Sequence, residues 1–558
     1  MESKNLILAV ALSIAVLVFF DIFFKKKVNK NEVIIEEVVS ENLENLEPKI
    51  DSEKQSSDKY KEDRIYFDMQ RIKGSLNLYG ATIDDVILKD YKEKINTDSD
   101  NVRVLSKEIS NSPFLVRNGW ASNSSQDFPN KKTLWKSKKE KYVQNEPIEL
   151  YWTNKEGVKF ERIIKIDENF MMKVTDIIKN ESDENIEVSN FSYIQRKNYR
   201  PKNKFFILHE GPIGVFKQTL KEVSYDEIEE ENKIEEKSDD GWIGITDHYW
   251  QVSIFPDNQT SFKAHFKNIK KLKDSIQVDF INDKNTLVNS GQKHIAVSYI
   301  FVGAKEVPLI DRYRKQYNIT NFDLSVDFGW FYFLTKPLFY ALNFLANFFG
   351  NFGIGIIVLT IFVRIILFPL ANKSFKSMNA MKLVTPEIQR LKERYKDDRT
   401  KMNQEMFKLY KDKKINPAAG CLPILLQIPI FFALYKVLFV SIEMRHAPFF
   451  GWIRDLSAPD PTSLFNLFGL IPWNPPTFLM IGIWPILMGL TMFLQQKINP
   501  PPPDPIQAKI FMILPLVFTF LLATFPSGMV IYWTANNILS IAQQVVILNK
   551  QKESNIYK

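Results

Sequence analysis

A single arginine, Arg364, lies inside the apolar stretch of residues 352–370. No other apolar stretch of that length offers an aspartate or glutamate at depth that would neutralise it. A cation at the centre of a bilayer costs about 3 kcal/mol or more unless it reaches the headgroups or draws in water. Arg364 therefore favours either a wet cavity that receives a polar ligand or a side chain that extends to the nearer membrane surface.

Uncharged polar residues recur at helical spacing in the same part of the chain. Thr360 precedes Arg364 by four positions, which places both on one face of a helix. Two further apolar stretches supply five more polar side chains: Gln427, Tyr532, Asn536, Ser540 and Gln543. Together these residues would line an inward-facing groove, and hydrogen bonds that join membrane helices are the alternative for each one.

The search for catalytic chemistry is negative. The sequence has no Gly-x-x-x-x-Gly-Lys phosphate loop, His-Glu-x-x-His motif or Gly-x-Ser-x-Gly turn. Its five histidines are scattered, and Cys421 is the only cysteine, which excludes an intrachain disulfide and a cysteine-based metal cluster. We predict no catalytic residue, cofactor or metal site, and we assign no role to Asp84, Asp85, Asp247 and His248, which lie in strand or turn contexts.

Six apolar stretches match the length of about 20 residues that a helix needs to cross a bilayer. They cover approximately residues 6–24, 352–370, 421–440, 478–495, 510–525 and 528–548. We therefore predict an α-helical polytopic membrane protein whose last five helices form one core over residues 351–548. The first stretch, within residues 1–27, is expected to be an uncleaved anchor, because no small-residue cleavage site follows it.

The region between the first two stretches has a different character. Residues 28–63 are acidic and polar, which predicts a flexible linker. Residues 64–326 alternate apolar and polar positions, as at Ile276, Val278 and Phe280, which predicts one sandwich-like all-β domain. Residues 327–350 are rich in aromatic side chains at helical spacing, and an interfacial amphipathic helix fits them best.

Basic residues set the expected orientation. Residues 371–420 contain 13 Lys and Arg against 6 Asp and Glu, which accounts for nearly all of the net charge of +8. The positive-inside rule places this loop in the cytoplasm and the β domain outside, with the N-terminus and the short basic tail of residues 549–558 inside. Lys25, Lys26 and Lys27 argue for the reverse orientation of the first helix, but their charge excess is smaller.

The basic loop holds two predicted helices that would pair as a hairpin over residues 376–415. Thr385, Pro386 and Glu387 are typical of a helix start, with a capping hydroxyl, a proline and an acid in the first turn. Apolar residues on the two helices would pack against each other or adapt to varied apolar partners. These residues are Met381, Ile388, Leu391, Tyr395, Met402 and Met406.

Four segments resemble the YidC, Oxa and Alb family of membrane protein insertases. They are TIFVRIILFP at residues 360–369, NPAAGCLP at 416–423, QIPIFFALY at 427–435 and FPSGMVIY at 525–532. The layout of an anchor, a large β domain and five further helices is similar to the Gram-negative form of the family. The resemblance covers essentially the full chain.

The resemblance implies a periplasmic β-supersandwich and a positively charged inner-leaflet groove that accepts substrates alone or beside the Sec translocon. Arg364 matches the family's groove arginine, and the other matching groove positions are Thr360, Gln427, Tyr532, Trp533 and Gln543. Trp533 stands where many relatives have a second tyrosine. Residues 549–558 are too few for the basic ribosome-binding extension that some relatives carry.

The predicted function is the insertion and folding of nascent membrane proteins in the bacterial inner membrane, without nucleotide hydrolysis. The expected partners are nascent membrane proteins, the Sec translocon, the ribosome with the signal recognition particle machinery, and the phospholipid bilayer. A solute transporter or channel and an envelope scaffold are the alternatives. A transporter would more often show paired repeats and ionisable residues in several helices, and a scaffold would leave Arg364 unexplained.

Overall fold

The computed structural model describes residues 62–95, 98–201, 208–257, 260–269, 274–396, 398–413, 422–473, 475–476, 479–499 and 505–556. All of them belong to one compact unit, Pro48–Lys558. The predicted anchor of residues 1–27 lies outside the described residues. So do Cys421 and nearly all of the predicted linker of residues 28–63.

Residues 64–304 form β-strands, with one short helix among them. In chain order the strands are β1 Arg64–Asp68, β2 Ile72–Asn77, β3 Thr82–Lys92, β4 Asn101–Leu105, β5 Phe114–Ser122, β6 Lys136–Ser137, β7 Lys141–Val143, β8 Ile148–Thr153, β9 Val158–Ile166, β10 Met171–Asn180, β11 Ile186–Arg196, β12 Gly211–Phe216, β13 Thr219–Glu222, β14 Lys233–Ser238, β15 Gly241–Thr246, β16 Trp250–Phe255, β17 Phe262–Asn268, β18 Ile276–Asn282, β19 Thr286–Val288 and β20 Lys293–Ala304. In the part of the chain that the structure describes, they assemble into two sheets.

The first sheet has the order β14-β17-β18-β11-β5-β3-β2-β1-β7, with β19 paired to β11 and β4 paired to β3, and the second has the order β13-β12-β15-β16-β20-β10-β9-β8-β6. Their apolar faces meet because side chains alternate along each strand. In β9, Phe160 and Ile164 are buried while Lys165 is exposed. Asn118 of β5 donates a 2.9 Å hydrogen bond to Ser298 of β20, across the two sheets. The predicted all-β domain is confirmed as a β-sandwich.

Ten α-helices lie among the described residues: α1 Tyr225–Glu231, α2 Val307–Gln316, α3 Tyr332–Phe349, α4 Phe352–Ile366, α5 Phe368–Arg394, α6 Arg399–Asp412, α7 Leu422–Val440, α8 Ile483–Ile498, α9 Pro505–Leu522 and α10 Ser527–Ile556. Short 3-10 segments occupy Phe322–Ser325, Ile442–Met444 and Leu464–Gly469. The predicted interfacial helix begins at Tyr332, five residues later than the predicted boundary. Helix α10 continues to Ile556 and so includes most of the predicted basic tail of residues 549–558, whose cytoplasmic position stays a prediction.

No single helix among the described residues combines the length and mean hydropathy expected of a membrane crossing. Two consecutive segments, Phe352–Ile366 and Phe368–Ser377, meet these criteria together, with a bend of 64° between them. The count of six membrane-spanning helices stays a prediction.

The predicted continuous helix over residues 352–370 is wrong, because α4 ends at Ile366 and α5 starts at Phe368. Pro369 lies in the first turn of α5, where a missing N–H is tolerated, and proline would not continue the preceding helix. The first of these two helices therefore ends closer to Arg364 than the predicted helix does. As a result, Arg364 lies in the last turn of α4 rather than well inside a straight helix.

The predicted helix start at Thr385 is also wrong. Helix α5 continues through Pro386, and the Thr385 hydroxyl donates to the backbone carbonyl of Met381 at 3.0 Å, as threonine does inside a helix. The next helix, α6, starts after Asp398, whose carboxylate accepts a hydrogen bond from the backbone N–H of Lys401 at 3.0 Å. Asp398 therefore caps the second helix of the pair, after the turn where that helix is predicted to begin.

The β-sandwich and the helices contact each other around the end of α7. Arg445, which follows α7, donates to the backbone carbonyl of Lys92 in β3 at 2.7 Å. Lys436 of α7 forms an ion pair at 2.6 Å with Asp327, in the segment between the β-sandwich and α3. Nε2 of His248 lies 2.8 Å from a backbone carbonyl near the end of α7. Burial lowers the pKa of His248 to about 4, so the ring is neutral near pH 7 and donates to that carbonyl from Nε2. His248 thus joins the two parts of the structure.

Candidate functional site

Arg364 emerges from an otherwise apolar helix end. It lies two residues before the end of α4, and its side chain is partly exposed. Its neighbours Phe362, Ile365 and Ile366 are exposed by 60%, 64% and 62%. A surface of this composition suits lipid, so the cation needs a polar environment of its own.

The polar environment of Arg364 is supplied by Asn536 of α10. Nε and Nη2 of Arg364 donate to the side-chain oxygen of Asn536 at 2.9 and 2.6 Å, and Nη2 lies 3.4 Å from its backbone carbonyl. No carboxylate pairs with Arg364 among the residues that the structure describes. The amide oxygen therefore orients the guanidinium group but leaves its positive charge in place.

The most buried arginines of the β-sandwich differ from Arg364, since each has a carboxylate partner. The pairs are Arg64 with Asp84, Arg117 with Glu108 at 2.7 Å, Arg162 with Asp176 at 2.6 Å, and Arg196 with Asp247 at 2.7 and 3.0 Å. Such pairing is the usual way to keep a charge out of water. Asp84 and Asp247 thus have structural partners, and the contrast marks Arg364 as a cation whose charge has been retained.

A second hydrogen bond extends the polar surface from α10 to α7. Nε2 of Gln427 donates to the hydroxyl of Tyr532 at 3.0 Å. Tyr532 precedes Asn536 by one helical turn, so both face the same side of α10. We call Arg364, Asn536, Tyr532 and Gln427 the Arg364 cluster. It links three helices with polar groups, and the role of these four residues as the lining of a groove stays a prediction.

Thr360 is less available than predicted. It is 2% exposed, and its hydroxyl donates to the backbone carbonyl of Ile356 at 2.6 Å. Its proton is therefore used within α4. Gln543 is also buried, and its Nε2 has no hydrogen-bond partner among the described residues. A direct role of Thr360 and Gln543 in binding stays a prediction.

Trp533 lies in an aromatic cluster. Its ring centroid is 4.9 Å from that of Phe431 on α7 and 5.5 Å from that of Phe518 on α9. Because successive residues of a helix point about 100° apart, Trp533 and Tyr532 lie on different sides of α10. The structure thus gives Trp533 a packing role between helices, and its predicted contact with a substrate stays untested.

Helix α10 has a second polar face that no sequence pattern indicated. Nδ2 of Asn537 donates to the hydroxyl of Thr491 on α8 at 3.3 Å, and Nε2 of Gln544 donates to Asn499 at 2.9 Å. These bonds join α10 to α8 and its C-terminal end. The adjacent residues Asn536 and Asn537 therefore have different roles, since one orients Arg364 and the other joins helices.

Helices α5 and α6 lie side by side, as Nζ of Lys413 lies 3.2 Å from a carboxylate oxygen of Glu387. Of the six predicted hairpin residues, Ile388 is buried, and the others are partly buried: Met381, Leu391, Tyr395, Met402 and Met406. Two apolar residues that the sequence analysis passed over, Leu383 and Phe407, are 78% and 72% exposed. Leu383 and Phe407 are therefore exposed apolar side chains of this helix pair, and the roles of the six predicted residues stay predictions.

Two family models match the chain. One is described as the YidC periplasmic domain and matches residues 64–341, and the other is described as 60Kd inner membrane protein and matches residues 344–554. The boundary between them falls inside α3. The first match covers the β-sandwich, and the second covers the helices that hold the Arg364 cluster.

Full-length relatives agree with both matches. A protein of Rickettsia felis named membrane protein insertase YidC is 44% identical over 557 residues, which cover 97% of this chain and 98% of the relative. A protein of the same name from Rickettsia bellii is 47% identical over 489 residues, or 87% of each chain. A crystal structure of an active YidC insertase covers 87% of this chain and 92% of its own, with 17% identity and a TM-score of 0.35.

Proposed function

Since the chain belongs to the YidC family of membrane protein insertases, we propose that the Arg364 cluster is the surface that receives the polar segments of nascent membrane proteins. The observation that carries the proposal is the retained charge of Arg364. An amide orients the guanidinium group without neutralising it, so the group can attract an acidic or polar segment.

A groove that holds this cluster would lower the barrier to translocation. Water around Arg364 would hydrate a polar segment within the inner leaflet. The segment would then be without water only while it crosses the outer leaflet. Gln427 and Asn536, which are partly exposed, would offer hydrogen-bond partners to its backbone. Tyr532 is 3% exposed and would hold the side chain of Gln427 in place. The apolar part of the substrate would then leave sideways into lipid, which is favourable by about 0.8 kcal/mol for each buried CH₂ group.

The proposed orientation places the β-sandwich in the periplasm and both termini in the cytoplasm, with six membrane-spanning segments. The match of residues 64–341 to a periplasmic domain supports it. The excess of 13 Lys and Arg over 6 Asp and Glu in residues 371–420 supports a cytoplasmic position for α5 and α6. Arg364, near the start of this basic region, would then lie in the inner leaflet.

Helices α5 and α6 would form the cytoplasmic receiving surface. Leu383 and Phe407 present exposed apolar side chains on a pair of basic helices, which suits the apolar segment of a chain leaving the ribosome. The ribosome, the signal recognition particle machinery and the Sec translocon are the proposed partners at this stage. The nascent membrane protein would pass from this surface to the Arg364 cluster.

Photocrosslinking to stalled nascent chains tests the order of these contacts. A photoreactive amino acid at Phe407 should crosslink to short chains of a small membrane protein, and one at Gln427 should crosslink to longer chains. Ile428, the neighbour of Gln427, is 42% exposed on another side of α7 and serves as the matched control. Its probe should crosslink to lipid at every chain length.

Two results would count against the proposal. If probes at Gln427 and Ile428 crosslinked equally to all chain lengths, the Arg364 cluster would have no special access to substrate. If Phe407 crosslinked only to lipid while Gln427 crosslinked to substrate, the receiving role of α5 and α6 would be rejected and the groove retained. If the protein were a solute transporter, probes at Phe407 and Gln427 should not crosslink to a nascent chain.

A further inference from the structure

The loop between α7 and α8 combines a polar base with an apolar tip. At its base, Asp460 is 2% exposed, and its carboxylate accepts hydrogen bonds from the backbone N–H groups of Thr462 at 3.0 Å and Trp484 at 2.9 Å. The hydroxyl of Ser463 donates to the backbone carbonyl of Leu479 at 2.9 Å. These bonds fix the loop to the first turn of α8.

The tip exposes apolar side chains in an unusual backbone. Leu467 and Phe468 have φ angles of 49° and 58°, in the left-handed region that such residues rarely adopt. Seven large apolar residues of the tip are more than 40% exposed: Leu464, Phe465, Leu467, Phe468, Leu470, Ile471 and Trp473. Leu470 is the most exposed of them, at 84%. The backbone is therefore held in a strained form that presents apolar groups outward.

The backbone of the tip satisfies its own hydrogen bonds. The N–H of Phe468 donates to the carbonyl of Ser463 at 2.8 Å, and that of Ile471 donates to the carbonyl of Asn466 at 3.0 Å. The side chain of Asn466 accepts from the N–H of Gly469 at 3.0 Å and donates to the carbonyl of Trp473 at 3.3 Å. A segment can leave water only when its polar backbone groups have such partners.

We infer that this tip, residues 464–473, inserts into the boundary between headgroups and acyl chains of the outer leaflet. The chain has no charged residue between Asp460 and Lys497, so nothing in the tip or in most of α8 opposes contact with lipid. Helix α8, which follows the loop, also exposes apolar side chains, with Leu487 and Leu490 exposed by 38% and 52%. Trp473 suits the interface, where tryptophan is enriched.

The inference rests on the proposed orientation, which puts residues 441–477 on the side opposite the basic helices α5 and α6. It does not depend on the Arg364 cluster as a binding site. A fixed base with an apolar tip would hold the outer end of α8 at a constant depth. Through the hydrogen bond from Asn537 to Thr491, it would also keep α10, which carries Asn536 and Tyr532, at a constant depth in the membrane.

Fluorescence quenching in nanodiscs that hold one copy of the full chain tests the inference. In a Cys421→Ser background, single cysteines at Leu470, Arg454 and Leu490 would carry an environment-sensitive dye. Lipids with a nitroxide near the headgroup should quench the dye at Leu470 several-fold more than the dye at Arg454, which is exposed before the loop base. Aqueous iodide should show the reverse order.

The position at Leu490 separates failure of the loop proposal from failure of the orientation. A nitroxide deep in the acyl chains should quench its dye best. If that dye were instead reached by iodide, the membrane arrangement and the loop proposal would both be overturned. If the dye at Leu490 behaved as expected, two results at Leu470 would overturn the loop proposal alone. Quenching of the Leu470 dye by iodide would show a tip in water. Quenching by neither iodide nor lipid would show a tip packed on protein.

Discussion

Replacing Arg364 with glutamate is expected to reduce the insertion of a membrane protein with an acidic translocated segment by about tenfold or more. The attraction between the guanidinium group and the segment would become a repulsion between two anions. A change of about 1.4 kcal/mol already produces a tenfold effect, and unit charges at close range in a partly hydrated site interact by more than that. Insertion would be followed in cells depleted of the native protein, by protease accessibility of the translocated segment.

Two controls separate the charge of Arg364 from its shape and from folding. Arg364→Lys keeps the positive charge but loses the planar donor pair that binds Asn536, so its effect should be milder. In the Arg364→Glu variant, a substrate whose translocated segment carries lysines in place of its acidic residues should be inserted better than the acidic one. Equal insertion of the acidic substrate by the native and glutamate forms would contradict an electrostatic role.

The second large effect is expected at Asn536. Asn536→Asp keeps an oxygen acceptor for Arg364 but adds a negative charge that neutralises it. Insertion of the acidic segment should therefore fall by about tenfold, while the thermal stability of the purified protein stays the same or rises, because a partly buried cation gains a counter-ion. A loss of function without a loss of stability would not follow from damage to packing.

The matched change Asn536→Leu removes the acceptor and keeps the charge of Arg364. It should lower stability, since the guanidinium group loses both hydrogen bonds to the side chain, but it should impair the acidic substrate less than Asn536→Asp does. Asn537→Leu is the neighbouring control, because it breaks the bond to Thr491 and leaves the cluster untouched. If Asn536→Asp inserted the acidic segment as well as the native protein, the retained charge would have no role.

Several features of the site follow from the sequence, because helical spacing and the chemistry of the side chains determine them. A cation in an apolar stretch needs a polar partner, and a four-residue spacing on one helix places Tyr532 and Asn536 on one face. Strand alternation likewise gave the β-sandwich. The sequence does not say which helices are neighbours, however. It could not predict that Asn536 binds Arg364 while the adjacent Asn537 binds Thr491.

Local rules also failed where tertiary contacts outweighed them. Proline is a strong signal for a helix start, yet Pro386 lies inside α5, where the Thr385 hydroxyl bonds to the helix backbone. Trp533 follows Tyr532 directly, but packing between Phe431 and Phe518 determines its position. His248 lies in the turn between β15 and β16, as its sequence context indicates, but its bond to the end of α7 could not be predicted. The contacts of Trp533 and His248 join residues far apart in sequence, so local patterns carry no signal for them.

The most direct test of the account is the access of water and substrate to the Arg364 cluster. In a Cys421→Ser background, a cysteine at Gln427 should react with a charged, membrane-impermeant thiol reagent added from the cytoplasmic side, and a stalled nascent membrane protein should slow that reaction. A cysteine at the adjacent Ile428, which is 42% exposed and would face lipid in the proposed arrangement, should remain unreactive in both conditions. If position 427 were as unreactive as position 428, or reacted at the same rate with and without a nascent chain, the cluster would not be a hydrated groove for polypeptide.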